Sequence, residues 1–243
     1  MNAVEIRNLT KKYKQKTAVD GISLTVAEGE MLALLGVNGA GKTTTVRMLS
    51  CLSEPTSGEA FICGHNCMTE KAAVKAVIGI SPQDTSVSEK LTVGENLLFI
   101  AKLHEIDADA CQARAEEMIR MFHMEEIRNS LAKTLSGGWK RKLSIAMALI
   151  SKPKVLFLDE PTLGLDVLAR RELWKAIEAL KGSVTVILTT HYMEEAEHLA
   201  DRIAIMMEGK IKVSGTLAEI EEYAGAKGLE NAFVAIAEKE GAV

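Results

Sequence analysis

Leu34-Leu35-Gly36-Val37-Asn38-Gly39-Ala40-Gly41-Lys42-Thr43 is the stretch on which the architecture of this 243-residue chain turns. From Gly36 it matches GxxxxGK[ST], and the apolar run Met31 to Leu35 leads into it as a buried strand. Glycines at 36, 39 and 41 permit the positive φ values that turn backbone N–H groups inward, so β- and γ-phosphate oxygens can rest against the loop without a Cβ clash. Lys42 adds a mobile cation. Thr43 and Thr44 open the helix that follows, whose N-terminus favours anions, and the Thr43 hydroxyl can ligate Mg²⁺ beside the phosphates. A plain Gly-rich turn is the bland alternative; the flanking strand and the helical pattern Thr44 to Leu49 disfavour it. The loop therefore predicts a nucleoside triphosphate binder, a property shared by kinases, GTPases and motors.

Composition narrows the setting. With 47% hydrophobic residues the chain can bury a large core, as one α/β domain with an insert or as two smaller ones. Apolar stretches such as Ile145 to Ile150 and Val155 to Leu158 fall far short of the ~20 residues that span a bilayer, so any membrane role is borrowed from a partner. A net charge of -4 and a pI near 5.8 argue against a broad nucleic-acid face, and no nucleic-acid partner is expected. Met1-Asn2-Ala3-Val4-Glu5 lacks a signal-peptide pattern, which makes the cytosol the expected compartment. Cys63-Gly64-His65-Asn66-Cys67 fits no common zinc spacing and follows the alternating Gly58 to Ile62, so it reads as a hairpin. Cys51 and Cys111 fall in helical patterns and read as small buried hydrophobes.

Val155-Leu156-Phe157-Leu158-Asp159-Glu160 is an apolar run too short for a helix and reads as a central parallel strand beside the one that feeds the loop. A carboxylate at the carboxyl end of such a strand faces the ligand crevice, where Asp159 can hold Mg²⁺ through its water shell. Glu160 is then free to polarise a water. Without the upstream loop, Asp-Glu before Pro161 would read as a solvated turn.

Leu135-Ser136-Gly137-Gly138 lies between those elements and precedes the helical pattern Leu143 to Ile150. Ser136, Gly137 and Gly138 at a helix N-terminus form a second anion cradle. LSGG in this position resembles the signature of ATP-binding-cassette (ABC) ATPases, and further landmarks of that family follow in order from Tyr13 to about Gly215. The resemblance implies that Gln83 touches the metal-water shell, that His191 contacts the γ-phosphate, that Tyr13 stacks on adenine and that Asp166 belongs to a loop crossing a dimer interface. Departures exist: Trp139 stands where the signature usually has glutamine, and Leu163 and Val167 replace a serine and a proline. None removes a phosphate contact.

The expected fold is α/β: a P-loop NTPase core with a mostly parallel sheet, an N-terminal antiparallel β layer of short strands, and an inserted α-helical subdomain. Residues 1–215 form one ABC ATPase domain, with the helical subdomain at about 84–150 starting from the capping box Thr92-Val93-Gly94-Glu95; 216–243 is a helical tail. Leu97, Leu98, Ile100, Ala101, Met118, Ile119, Met121 and Phe122 recur at helical spacing and are read as core. Gly228 to Phe233 resembles a closing motif of export-type cassettes, and His191 to Glu197 and Lys140 to Ala146 look like the same branch. The resemblance implies an ATPase using ATP and Mg²⁺, peripheral on the cytoplasmic face of transmembrane permease subunits and paired with a second ABC ATPase subunit, a homodimer or a paralogue. In that pair Ser136 and Gly138 of one chain complete the site that Lys42, Thr43, Asp159 and Glu160 build in the other. An importer ATPase is the nearest alternative. A soluble non-transport ABC ATPase would carry two cassettes or a coiled-coil insertion, and a non-hydrolysing regulator would lack Glu160 or His191.

Overall fold

The computed structural model describes residues 1–14, 16–104 and 107–239. Strands β1 (Asn2–Tyr13), β2 (Lys16–Ala27), β4 (Ser57–Ile62) and β5 (His65–Asn66) pair antiparallel in the order β2-β1-β4-β5. The second sheet has the order β10-β9-β3-β8-β7-β6. Its members are β3 (Met31–Leu35), β6 (Ile78–Ser81), β7 (Val155–Asp159), β8 (Thr185–Thr190), β9 (Arg202–Met207) and β10 (Lys210–Gly215). All neighbours in it are parallel except β9 and β10. This is the expected mostly parallel core with an antiparallel layer.

Every residue of β3, β7 and β8 is buried, polar ends included, as strands covered on both faces should be. Leu32, Leu34, Phe157 and Ile187 point to the antiparallel layer and α1 (Lys42–Leu49); Leu35, Leu156, Leu158 and Leu188 point to the opposite, helical side. That side carries α3 (Val93–Leu103), α4 (Ala108–Met121), α5 (Gly137–Leu149), α6 (Val167–Glu178) and α7 (Met193–Leu199), α2 (Lys71–Val77) having already led into β6. α3 begins with the expected capping box: Thr92 Oγ1 accepts from Glu95 N at 3.2 Å and Glu95 Oε2 accepts from Thr92 N at 2.8 Å. α5 lies so close to β6 that a Cβ on Gly79 would stand 2.2 Å from the Ala148 carbonyl oxygen. α8 (Leu217–Ala224) and α9 (Leu229–Lys239) make the helical tail, and Leu229, Phe233 and Ile236 are buried in the same core as α7. Residues 105–106 of the expected insert and 240–243 of the expected tail lie outside the described residues. Among the described residues no helix is long and apolar enough to cross a membrane.

Several expectations are corrected. β7 does not neighbour β3; β8 lies between them, its apolar centre Val186 to Leu188 filling both faces of the sheet and its threonines buried at the two ends. The strands before Gly29 are long, twelve residues each, with register shifts near Leu9 and with Asn8 and Gly21 at positive φ that interrupt the alternation. Cys51 sits past the end of α1 at φ 59°, half-buried, with its Sγ 3.3 Å from the Cys67 carbonyl oxygen. Met121, the last residue of α4, is exposed, while Met118, Ile119 and Phe122 are buried.

Candidate active site

The loop after β3 is shaped from beneath. A Cβ on Gly36 would meet the Met206 carbonyl oxygen of β9 at 2.2 Å, and one on Gly41 would meet the Ala18 carbonyl oxygen at 2.4 Å. Gly39 and Gly41 have φ of 85° and 110°, as expected, but Gly36 does not have positive φ; close backbone approach is what demands glycine there. Above Gly39 nothing lies within 4 Å of a virtual Cβ. No side chain caps α1 and no acid occupies its first turn, so its N-terminal amides face the opening.

Lys42 Nζ donates to the carbonyl oxygens of Gly36 (2.8 Å) and Val37 (3.3 Å) and pairs with Glu160 Oε1 at 3.2 Å. Both partners are nearly enclosed, Lys42 at 5% exposure and Glu160 at 6%. The second Glu160 oxygen is 2.7 Å from His191 Nδ1. Glu160 has φ 48°, a left-handed conformation that a glutamate adopts only when its surroundings impose it. Thr189 imposes it: its hydroxyl and carbonyl oxygens each accept from Glu160 N at 3.1 Å. The same hydroxyl donates to Asp159 Oδ1 at 2.5 Å, and Thr43 Oγ1 donates to that oxygen at 3.1 Å. Asp159 thus reaches the loop across the end of the intervening strand.

A cavity of about 540 Å³ joins Tyr13, the loop from Asn38 to Thr44, Gln83, Glu160 and His191. Gly36 and Val37 turn their carbonyls to Lys42 and form its support, while the Val37 side chain is exposed. Ser136, Gly137, Gly138 and Asp166 are not brought to this cavity. Ser136, Gly138 and Asp166 instead border a separate depression of about 240 Å³ with Trp139 and Leu168. Ser136 caps α5, accepting from Trp139 N at 3.5 Å, and Asp166 caps α6, accepting from Leu168 N and Ala169 N at 2.9 Å each. Trp139 packs within its own helix, under Lys142 Nζ 4.5 Å from the ring centroid.

Phosphate and Mg²⁺ fit these residues. The open face above Gly39, the uncapped α1 terminus and the Lys42 ammonium supply donors and positive potential. Thr43 and Asp159 supply two hard oxygens. That suits Mg²⁺, which keeps several waters and takes its other oxygens from phosphate.

Three residues outside the expected set belong to this region. Thr189 holds both carboxylate residues, and a polar Thr-Thr closing a buried strand was its only sequence signal. Arg141 donates to the carbonyl oxygens of Pro82 and Gln83, and nothing in the charged run Lys140 to Lys142 singles it out from its neighbours. Glu195, fully buried in α7, accepts from Trp174 Nε1 at 3.2 Å.

Comparison with known proteins agrees with this geometry. A family model described as "ABC transporter" matches residues 19–163. The daunorubicin resistance ATP-binding protein DrrA3 of Streptomyces coeruleorubidus is 41% identical over 224 residues, 92% of this chain and 71% of that protein. The human phospholipid-transporting ATPase ABCA3 is 40% identical over 227 residues; the match covers 92% of this chain and 13% of that much longer protein. Among solved structures, a dimeric post-hydrolysis state of the ATP-binding cassette MJ0796 bound to ADP and Pi superposes with a TM-score of 0.79 at 27% identity, covering 88% of this chain and 98% of the other.

Proposed function

This chain belongs to the ABC transporter family as an ATP-binding, ATP-hydrolysing subunit, and from that premise we propose that it powers an exporter through ATP-dependent dimerisation. Residues 1–215 act as one ATPase domain, with 84–150 as its helical subdomain and 216–243 as a tail. The observation that carries the mechanism is the contact series Lys42, Glu160, His191, the first two buried and the third half-buried, with contacts of 3.2 and 2.7 Å on the wall of the loop cavity.

Lys42 and the loop amides hold the β- and γ-phosphates, and Tyr13 flanks the base. Thr43 and Asp159 would hold Mg²⁺, with Gln83 toward its water shell; the metal, when bound, would neutralise phosphate charge. Glu160 takes a proton from a water whose oxygen attacks the γ-phosphorus, the bond to the β–γ bridging oxygen breaks, and ADP leaves. His191 orients Glu160 and reaches the γ-phosphate. Ser136 and Gly138 cannot serve the loop of their own chain from a separate depression, but two chains related by a two-fold axis complete each other's sites, with Asp166 at the seam. The dimeric MJ0796 cassette supports that pairing.

Export is favoured by the drug-resistance and phospholipid-transporting relatives. An apolar groove of about 550 Å³ lined by Leu52, Ile80, Pro82, Ile100 and Met147, beside an α3 that also exposes Phe99 and Leu103, supports docking of the membrane partner on this face. The subunit then lies on the cytoplasmic face of the membrane. Glu160→Gln should bind ATP, persist as a dimer and lose turnover by ~10²- to 10⁴-fold. Parental steady-state ATPase activity in that variant removes Glu160 as the base. Lys42→Ala should weaken ATP binding roughly tenfold or more in a titration, since it removes charged hydrogen bonds. Identification of co-purifying membrane subunits separates exporter from importer.

A further inference from the structure

Arg141 is 5% exposed, in the second turn of a helix that starts at Gly137. A buried guanidinium ordinarily pairs with a carboxylate at close range. This one does not. Its two terminal nitrogens donate to consecutive backbone carbonyls, Nη1 to Pro82 and Nη2 to Gln83, both at 2.6 Å. Burial pushes its pKa down, and the carboxylates of Asp159, Asp84 and Glu195 offset this only through longer-range attraction.

Two further contacts extend the attachment. The buried hydroxyls of Ser81 and Ser144 are 2.9 Å apart, and Gly79 lies against the Ala148 carbonyl. Residues 141, 144 and 148 follow the three- and four-residue steps of one helix face. Gly79 and Ser81 share one face of β6, and Pro82 and Gln83 continue from it. Fixing two successive carbonyls fixes the peptide planes on either side of the Gln83 Cα, and with them the direction in which Gln83 leaves the backbone toward the cavity it lines.

We propose that Arg141 is the positioning residue for Gln83: its fork onto the Pro82 and Gln83 carbonyls makes the glutamine a rigid extension of α5 rather than part of a free loop. This rests on the reading of Gln83 as the residue that meets the metal-water shell. Because α5 is capped by Ser136, one rigid segment sets both Gln83 and the second phosphate cradle of the same chain.

The test is a double-mutant cycle on the ATPase activity of the full chain, using Arg141→Met, Gln83→Ala and their combination. Misplacement of a positioned group by about 1 Å costs up to ~10²-fold, so Arg141→Met should lower kcat by roughly tenfold to a hundredfold. Its KM for ATP should stay within about threefold of the parent, as for a group acting after binding. In the Gln83→Ala background, Arg141→Met should cause no further loss. Arg141→Lys keeps the charge but cannot bond both carbonyls as a planar fork, and should restore kcat only in part. It carries the same cycle if the methionine variant does not fold. Equal losses from the arginine change in both backgrounds, or parental kcat in the arginine variants beside an impaired Gln83→Ala, overturn the proposal. Parental kcat in Gln83→Ala overturns the reading of Gln83, and the proposal with it.

Discussion

Glu195 carries a buried carboxyl that accepts from Trp174 Nε1 at 3.2 Å and lies beside the hydroxyls of Thr162 and Thr190. Burial raises its pKa above the ordinary 4.5; Thr190, Thr162 and Trp174 oppose that, and the nearby Glu160 charge adds to it. An acid with a raised folded pKa binds a proton on folding, so its contribution falls as pH rises from 4.5 through the folded value. Glu195→Gln removes that loss. Its melting temperature should climb relative to the parent as pH increases from 4.5 to neutrality; a difference that stays constant with pH contradicts this. Cys67 offers a second residue-scale expectation, since burial pushes its thiol up to about 12. A maleimide at pH 8 should leave Cys67 unmodified in the folded chain and label it once denaturant is added, as peptide mass spectrometry will report.

At the scale of elements, Gly79 is where β6 and α5 are closest. Gly79→Ala puts a methyl 2.2 Å from a backbone oxygen that cannot rotate away. The expected cost is about 1–3 kcal/mol, read from denaturant unfolding. Thr92→Ala removes one half of the α3 capping box and should cost ~1 kcal/mol in the same measurement. Local chemistry of this kind was legible in the sequence: the loop to Thr43, the Thr92 box, the apolar run ending in Asp159 and, Met121 apart, the helical stripe through Phe122 form the elements that spacing predicts. Long-range placement was not. Nothing in the order of residues says that β8 separates β3 from β7, or that Gly36 answers to Met206 some 170 residues later. Arg141 was hidden for the same reason, because its partners lie 58 and 59 residues away.

At the scale of the molecule, the loop after β3 and the Ser136 turn of one chain border different depressions, and the second is edged by an apolar side chain left in solvent. Leu168 is 75% exposed, next to the Asp166 cap. If that edge is the seam between two chains, Leu168→Lys in the Glu160→Gln background should abolish the ATP-dependent dimer in light scattering without lowering the melting temperature. A dimer of unchanged stability would place the seam elsewhere. The 3.2 Å contact between Lys42 and Glu160 gives such a machine an interlock. On the roles proposed, the cation meant for phosphate and the base meant for water restrain each other, and an arriving anion must draw the lysine away before the carboxylate is released to work. Substrate first and water second then becomes an enforced order of events, and an idle subunit is guarded against futile turnover by the same two side chains that carry out the reaction.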